Sequence, residues 1–308
     1  LIRFRLEAAA AAVVSGLLHP MPRRAALAAG AFLGRLWGGL DRRHVAIAVD
    51  NLRRAFPEWR DERVLAVARG VYVHFGSVLL DLLWMQGRTA ETLGAFVDVE
   101  GGEHVDAALA SRRGVVYCTA HLGNWEVAGI DHGWRWRPMS VVTRELDNPA
   151  LEARLCALRV SSGNTILHKR RALGMMIRTL REGNGVAIVL DQNVQVKDGI
   201  FVEFFGRPAS ATTVAAALAL KTGCLLVPAR AVLGKDRRYR VVYEAPLEVD
   251  PTGDRDAALQ RITQVIARRI EDWIRETPEQ WLWMHRRWKT QPPPGPAATD
   301  RRLPETPA

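Results

Sequence analysis

Short apolar runs bounded by turn residues, with helix-patterned segments between them, constrain this chain more than any other feature. Residues 114–120, 139–143, 186–190 and 225–228 are too short for helices and read as strands. Between them lie segments with helical spacing or helical punctuation. Residues 42–56 and 61–85 read as helices, the second with Val64, Val67, Ala68, Val71, Phe75, Val78 and Leu82 at core positions. Residues 103–112, a segment from about residue 125, and residues 171–181 and 259–275 follow the same pattern. Asn148-Pro149 starts a helix to about Arg159, and Gly223 closes one over 212–222. Strands alternating with helices predict an α/β fold, a central mostly parallel or mixed sheet flanked by helices.

Polar residues collect where the strands end. His121 follows the first run, Arg144 the second, and Asp191-Gln192 the run over 186–190. Ligands of open α/β sheets bind beyond the strand carboxyl ends, which predicts one site containing His121, Glu126, Arg144 and Asp191. The stretch His121-Leu122-Gly123-Asn124-Trp125-Glu126 sets a carboxylate after an imidazole with four residues intervening, across a turn able to bring them together. A Glu that accepts from one ring nitrogen fixes the tautomer, and the other nitrogen then takes a proton from a hydroxyl. The same pair also fits a structural hydrogen bond plus a charge at a helix start. Asp191 suits a turn or a cap as well as a site. Arg159 is either solvated or paired with Asp191 across the site. Residues 201–206 fit core and turn, or the wall of an acyl pocket. Trp281 and Trp283 fit packing, interfacial anchoring, or both.

The formal net charge is +10, and residues 1–60 hold ten Arg against four acidic residues, so +6 of it lies there. A basic, Ala- and Leu-rich start suits an anionic membrane surface. No nucleic-acid motif or stacking spacing of aromatics accompanies the charge, which argues against nucleic acid as partner. Residues 6–40 read as two apolar helices broken at Pro20-Met21-Pro22. Their uncharged runs, 8–22 and 25–34, fall short of the ~20 residues that span a bilayer. An interfacial or re-entrant hairpin is expected; a full span would need residues upstream of Leu1. Cys118, Cys156 and Cys224 are widely spaced and read as core thiols, with no metal-ligand pattern. The expected organisation is a membrane-associating segment over 1–40, a catalytic α/β domain over 41–291 and a Pro-rich disordered tail over 292–308. Deleting 1–40 is expected to detach the protein from lipid and largely spare chemistry on a soluble acceptor.

Several elements resemble, in order, the bacterial late acyltransferases of lipid A biosynthesis. They are Asn51-Leu52-Arg53-Arg54-Ala55-Phe56-Pro57-Glu58, the His121 to Glu126 stretch, Asp147-Asn148-Pro149, Asp191-Gln192 and Phe204-Phe205-Gly206-Arg207-Pro208-Ala209 with Thr212-Thr213. The last is Pro278-Glu279-Gln280-Trp281-Leu282-Trp283-Met284-His285-Arg286-Arg287-Trp288-Lys289. The resemblance spans roughly residues 40–290. It implies an enzyme at the cytoplasmic face of the inner membrane that moves a fatty acyl chain from acyl carrier protein to a glycolipid hydroxyl. It implies His121 and Glu126 as the catalytic pair, and Arg159 and Asp191 as further site residues. Arg144, Asn124 and Gln192 join them as expected substrate contacts.

No cofactor is implied beyond the acyl thioester, which is a substrate. Arginines suit a phosphorylated sugar lipid, and a basic rim suits an acidic carrier protein. The backbone N–H groups of Gly123 and Asn124 are the expected oxyanion donors. Relatives with similar motifs acylate phosphatidylinositol mannosides from acyl-CoA, so that acceptor stands as the alternative. A thioesterase, with water in place of the lipid hydroxyl, is the alternative from another enzyme class.

Overall fold

The computed structural model describes residues 2–168 and 172–293. Two helices open the chain, α1 (Ile2–Leu18) and α2 (Arg23–Leu40), with the break at Pro20, Met21 and Pro22. Asp41 ends α2 and caps α3 (Arg42–Ala55) by accepting from the His44 N–H. The long helix α4 (Asp61–Met85) follows. Among the described residues it is the one helix long and apolar enough to cross a membrane, and half of its apolar window is buried inside the protein. Helix α2 lies directly on it. Gly30 and Gly34 face Gly76 so closely that a Cβ at Gly34 would collide with the Tyr72 carbonyl, and one at Gly76 with the Gly30 carbonyl.

The remaining elements are α5 (Ala90–Gly94), β1 (Val97–Glu100), α6 (Gly102–Ala110), β2 (Val115–Thr119), α7 (Trp125–Arg135), β3 (Ser140–Thr143) and α8 (Pro149–Val160). Then come β4 (Thr165–His168), α9 (Ala172–Arg181), β5 (Gly185–Val189), the hairpin β6 (Ile200–Phe204) and β7 (Arg207–Ala211), and α10 (Val214–Thr222). The described chain finishes with β8 (Leu225–Leu233), β9 (Tyr239–Tyr243) and α11 (Arg255–Glu276). The expected first residue of α9, Arg171, and residues 294–308 of the expected tail lie outside the described residues.

The fold is α/β. Seven strands form one sheet in the order β1-β9-β8-β2-β5-β3-β4. From β8 to β4 every pairing is parallel; β8 and β9 are antiparallel, so β1 and β9 run the opposite way. The sheet is therefore mixed, with a parallel centre. Strand β2 sits between β5 and β8, Tyr117 opposite Ala187 on one side and Val227 on the other. Val116, Cys118, Val186 and Ile188 pack against α9, α10 and α11 on one face. Val115 and Tyr117 pack against α6 and α7 on the other. Burial on both faces explains the unbroken apolar runs in the sequence.

Strand β8 is longer than the run over 225–228 suggests. It pairs with β2 up to Pro228 and with β9 from Ala229 onward, so the proline marks a change of neighbour and not an end. Residues 201–206 resolve to core and turn: Phe204 and Phe205 are buried among Trp281, Trp283 and Trp288. Trp281 and Trp283 are themselves buried packing residues. Cys118 and Cys224 are buried thiols and Cys156 is partly exposed; all three are free.

Candidate active site

Neighbouring parallel strands deliver the two groups at the centre of the site. His121 follows β2 and Asp191 follows β5, so pairing of these strands brings their ends together. The His121 backbone N–H donates to Asp191 Oδ2 at 2.9 Å, and its ring Nδ1 lies 2.7 Å from Asp191 Oδ1. Trp281 Nε1 donates to Asp191 Oδ2 at 2.7 Å. A carboxylate only accepts, so the ring proton sits on Nδ1 and Nε2 is left as an acceptor. Nε2 lies 3.5 Å from the Gln192 amide nitrogen. Burial opposes charge on His121, yet the Asp191 charge, its hydrogen bond and the nearby Glu126 charge together raise the imidazole above its ordinary value. Burial likewise opposes charge on Asp191, but His121 and the Trp281 donor hold its carboxyl below the usual range.

The expected hydrogen bond from the His121 ring to Glu126 is absent. Glu126 is the second residue of α7, and its carboxylate faces α8. There Arg159 clasps it with two bonds, Nε to Oε2 at 2.8 Å and Nη2 to Oε1 at 2.6 Å. Trp125 Nε1 adds a third at 3.1 Å. Arg159 thus pairs with Glu126 and not with Asp191, because a planar guanidinium on the last turn of α8 meets the carboxylate fork first. Trp125 packs edge-on to the His121 ring at 4.8 Å. Glu126 acts on His121 through its charge alone.

A cleft of about 1120 Å³ opens over these groups. His121, Glu126, Arg159 and Gln192 line it, with Arg144 at the rim, and its deep part reaches Tyr117, Gly129, Met139 and Tyr243. Arg144 is largely exposed, 4.0 Å from Asp147. Asp191 sits behind His121 and does not line the cleft. Asn124, expected as a substrate contact, is fully buried and does not line the cleft. Its side-chain oxygen accepts from the Val127 N–H at the start of α7, and its amide donates to the Tyr239 hydroxyl.

The expected oxyanion donors are also taken. Gly123 N–H donates to the Gln280 carbonyl at 2.8 Å and Asn124 N–H to the Ala231 carbonyl at 2.9 Å. Gly123 needs its glycine: its φ is +62° and a Cβ would strike the Ala231 carbonyl. Two groups that sequence reasoning passed over complete the turn. His74 Nε2 meets the Gly123 carbonyl at 3.1 Å, and burial depresses its pKa to about 4, so the ring is neutral and donates there. Trp281 belongs to a quoted motif, but nothing in its local pattern connects it with Asp191.

A model of the bacterial lipid A biosynthesis acyltransferases matches residues 6–290. The chain belongs to this family. It is accordingly an acyltransferase. A lipid A biosynthesis lauroyltransferase of Escherichia coli strain K12 is 28% identical over 269 residues, 85% of each chain. A lipid A biosynthesis palmitoleoyltransferase of the same strain is 28% identical over 272 residues, again 85% of each. A phosphatidylinositol mannoside acyltransferase of Mycobacterium tuberculosis (strain H37Rv) is 30% identical over 195 residues, 62% of this chain and 59% of its own. Acyl transfer within the lipid A acyltransferase family fits a cleft that joins an apolar interior to a charged mouth holding Arg144, Glu145 and Asp147.

Proposed function

We propose that this acyltransferase moves a fatty acyl chain from acyl carrier protein to a hydroxyl of a lipid A precursor, with His121 as general base. The carrying observation is the ring itself: Nδ1 is bound to Asp191, and Nε2 is left facing an apolar cleft beyond the sheet. The acceptor hydroxyl gives its proton to Nε2 as its oxygen attacks the thioester carbonyl carbon. The tetrahedral intermediate collapses, the C–S bond breaks, and the imidazolium returns the proton to the departing thiolate. Asp191 holds the tautomer and offsets the imidazolium charge, and Glu126 adds to that field. One N–H donor beside Nε2 remains for the oxyanion, the Gln192 amide.

The acyl chain extends toward Tyr117 and Met139. Acceptor phosphates meet Arg144 at the rim. Leu79, Leu146 and Leu173 are exposed at the mouth, and α2 exposes Phe32, Leu36 and Trp37. With the basic N-terminal residues these seat the protein on the cytoplasmic face of the inner membrane, so the acceptor reaches the cleft from the lipid. The mannoside reading draws support from the mycobacterial relative, but that match covers less of either chain than the match to the lauroyltransferase.

The test is transfer of labelled acyl chains from acyl carrier protein and from acyl-CoA to a panel of lipid A precursors, phosphatidylinositol mannosides and water. Transfer to the lipid A precursor is expected, with a loss of ~10²–10⁴-fold in His121→Ala. Near-parental turnover by that variant would remove His121 from the mechanism. Preference for a mannoside would replace the acceptor.

A further inference from the structure

A buried polar chain runs from α2 to the catalytic turn. Arg23, at the start of α2, donates to Asp81 of α4 through Nε at 3.0 Å and Nη2 at 2.7 Å. The Tyr239 hydroxyl of β9 donates to Asp81 Oδ2 at 2.7 Å and accepts from the Asn124 amide at 3.0 Å. Asn124 passes the chain on by capping α7. Asp81, Tyr239 and Asn124 are wholly buried, and Arg23 nearly so. The guanidinium is further fixed by the Arg237 carbonyl and by the rings of Phe96 and Tyr239.

Stability alone does not account for this arrangement. A buried ion pair commonly gains nothing over well-packed apolar groups of the same size. What it confers is direction: each donor meets one acceptor, and the last link fixes the residue between His121 and Glu126. The two residues that follow Asn124 are Trp125, packed on the His121 ring, and Glu126, clasped by Arg159.

We propose that Arg23, Asp81, Tyr239 and Asn124 are positioning residues that set the catalytic turn, which makes α2 part of the catalytic body as well as a surface for lipid. The proposal rests on the reading of His121 as the base that this turn positions. It reverses the expectation for deletion of residues 1–40. Loss of Arg23 strands the Asp81 carboxylate in the interior, so activity on a soluble acceptor falls along with membrane binding.

Tyr239→Phe removes one hydroxyl and keeps the ring. Asn124→Ser keeps a side chain that caps helices but loses the amide donor. Both are assayed on a short-chain acceptor well below their unfolding temperatures, with Val105→Ala as a buried control on α6. Each relay variant should lose about 10- to 100-fold in kcat with KM little changed, the scale of a misplacement near 1 Å. The double variant should lose no more than the worse single. Amide exchange over residues 123–127 should quicken in both, while Val105→Ala lowers Tm and keeps its kcat and its exchange at the turn. Parental kcat and unchanged exchange in Tyr239→Phe would overturn the proposal. A His121→Ala enzyme that stayed active would sink the general-base reading instead, and amide exchange would still decide the relay.

Discussion

Replacing Asp191 by Asn should disable the enzyme through a tautomer, with almost no change of shape. Asp191 Oδ2 receives two donors, the His121 backbone N–H and Trp281 Nε1, while Oδ1 receives only His121 Nδ1. An Asn side chain has two orientations there. With its NH2 at the Oδ2 position it faces two N–H donors and leaves both unmade, each at a cost of about 1–3 kcal/mol. With its oxygen at Oδ2 it keeps both bonds, so this orientation prevails. Its NH2 then points at Nδ1 and can only donate. The ring must move its proton to Nε2, the nitrogen that faces the cleft, and there it can no longer take a proton from the acceptor. A wrongly held tautomer costs about 10³–10⁴-fold, or ~4–5 kcal/mol of transition-state stabilisation. Single-turnover acyl transfer, with circular dichroism to confirm the fold, measures this directly. A loss under about tenfold would refute the reasoning and return the role of ring partner to Glu126.

The raised pKa of His121 implies that kcat/KM climbs with pH and has its midpoint above the ordinary value of about 6.5; a midpoint at or below it would contradict the pairing with Asp191. Stability runs the other way: the contribution of the charged ring is complete below the ordinary histidine value and fades as pH rises through the raised one, which denaturant titrations across that window would detect. Glu126→Ala should destabilise the fold by about 3 kcal/mol, because it leaves the Arg159 guanidinium in the interior without its partner. Urea unfolding checks this, and an unchanged midpoint would mean that Arg159 finds another partner. Phe32→Glu with Trp37→Glu should weaken flotation with anionic vesicles by more than about tenfold, since each exposed ring is worth ~1.5–3 kcal/mol when buried; parental flotation would place the lipid contact elsewhere.

The central strands were legible because parallel strands buried on both faces leave unbroken apolar runs. Strand β4 was not, since its side chains are mostly exposed at the sheet edge. Nor was the second half of β8, where a proline inside the strand imitates a terminus. At the site, strand ends place His121 and Asp191 as neighbours, but the ring pairs with Asp191 where spacing predicts Glu126. Spacing along the chain favours Glu126. Adjacency of β2 and β5 favours Asp191, and strand order is not written locally. Asn124, expected as a substrate contact from the resemblance, is instead wholly buried. Its burial depends on Tyr239, which lies 115 residues away. The bonds of Trp281 to Asp191 and of His74 to Gly123 are not legible for the same reason: each residue reaches the turn from a distant part of the chain.

The strap formed by Gln280, Trp281 and Leu282 gives the site a place in time. Gln280 accepts from the Gly123 N–H, Trp281 grips Asp191, and the Leu282 N–H donates to the His121 carbonyl. All three leave the ribosome about 160 residues after the turn they hold, at ordinary elongation rates some ten to thirty seconds later. During that interval the apolar helices of the N-terminus are already free to meet lipid, while the imidazole has neither a fixed carboxylate nor a fixed backbone. If these helices seat the protein on lipid as proposed, attachment precedes competence. If His121 is the base as proposed, a nascent or prematurely terminated chain that lacks the strap would meet lipid without an assembled base, and a protease that trims the chain back past Gln280 would silence the enzyme without touching a residue that lines its cleft.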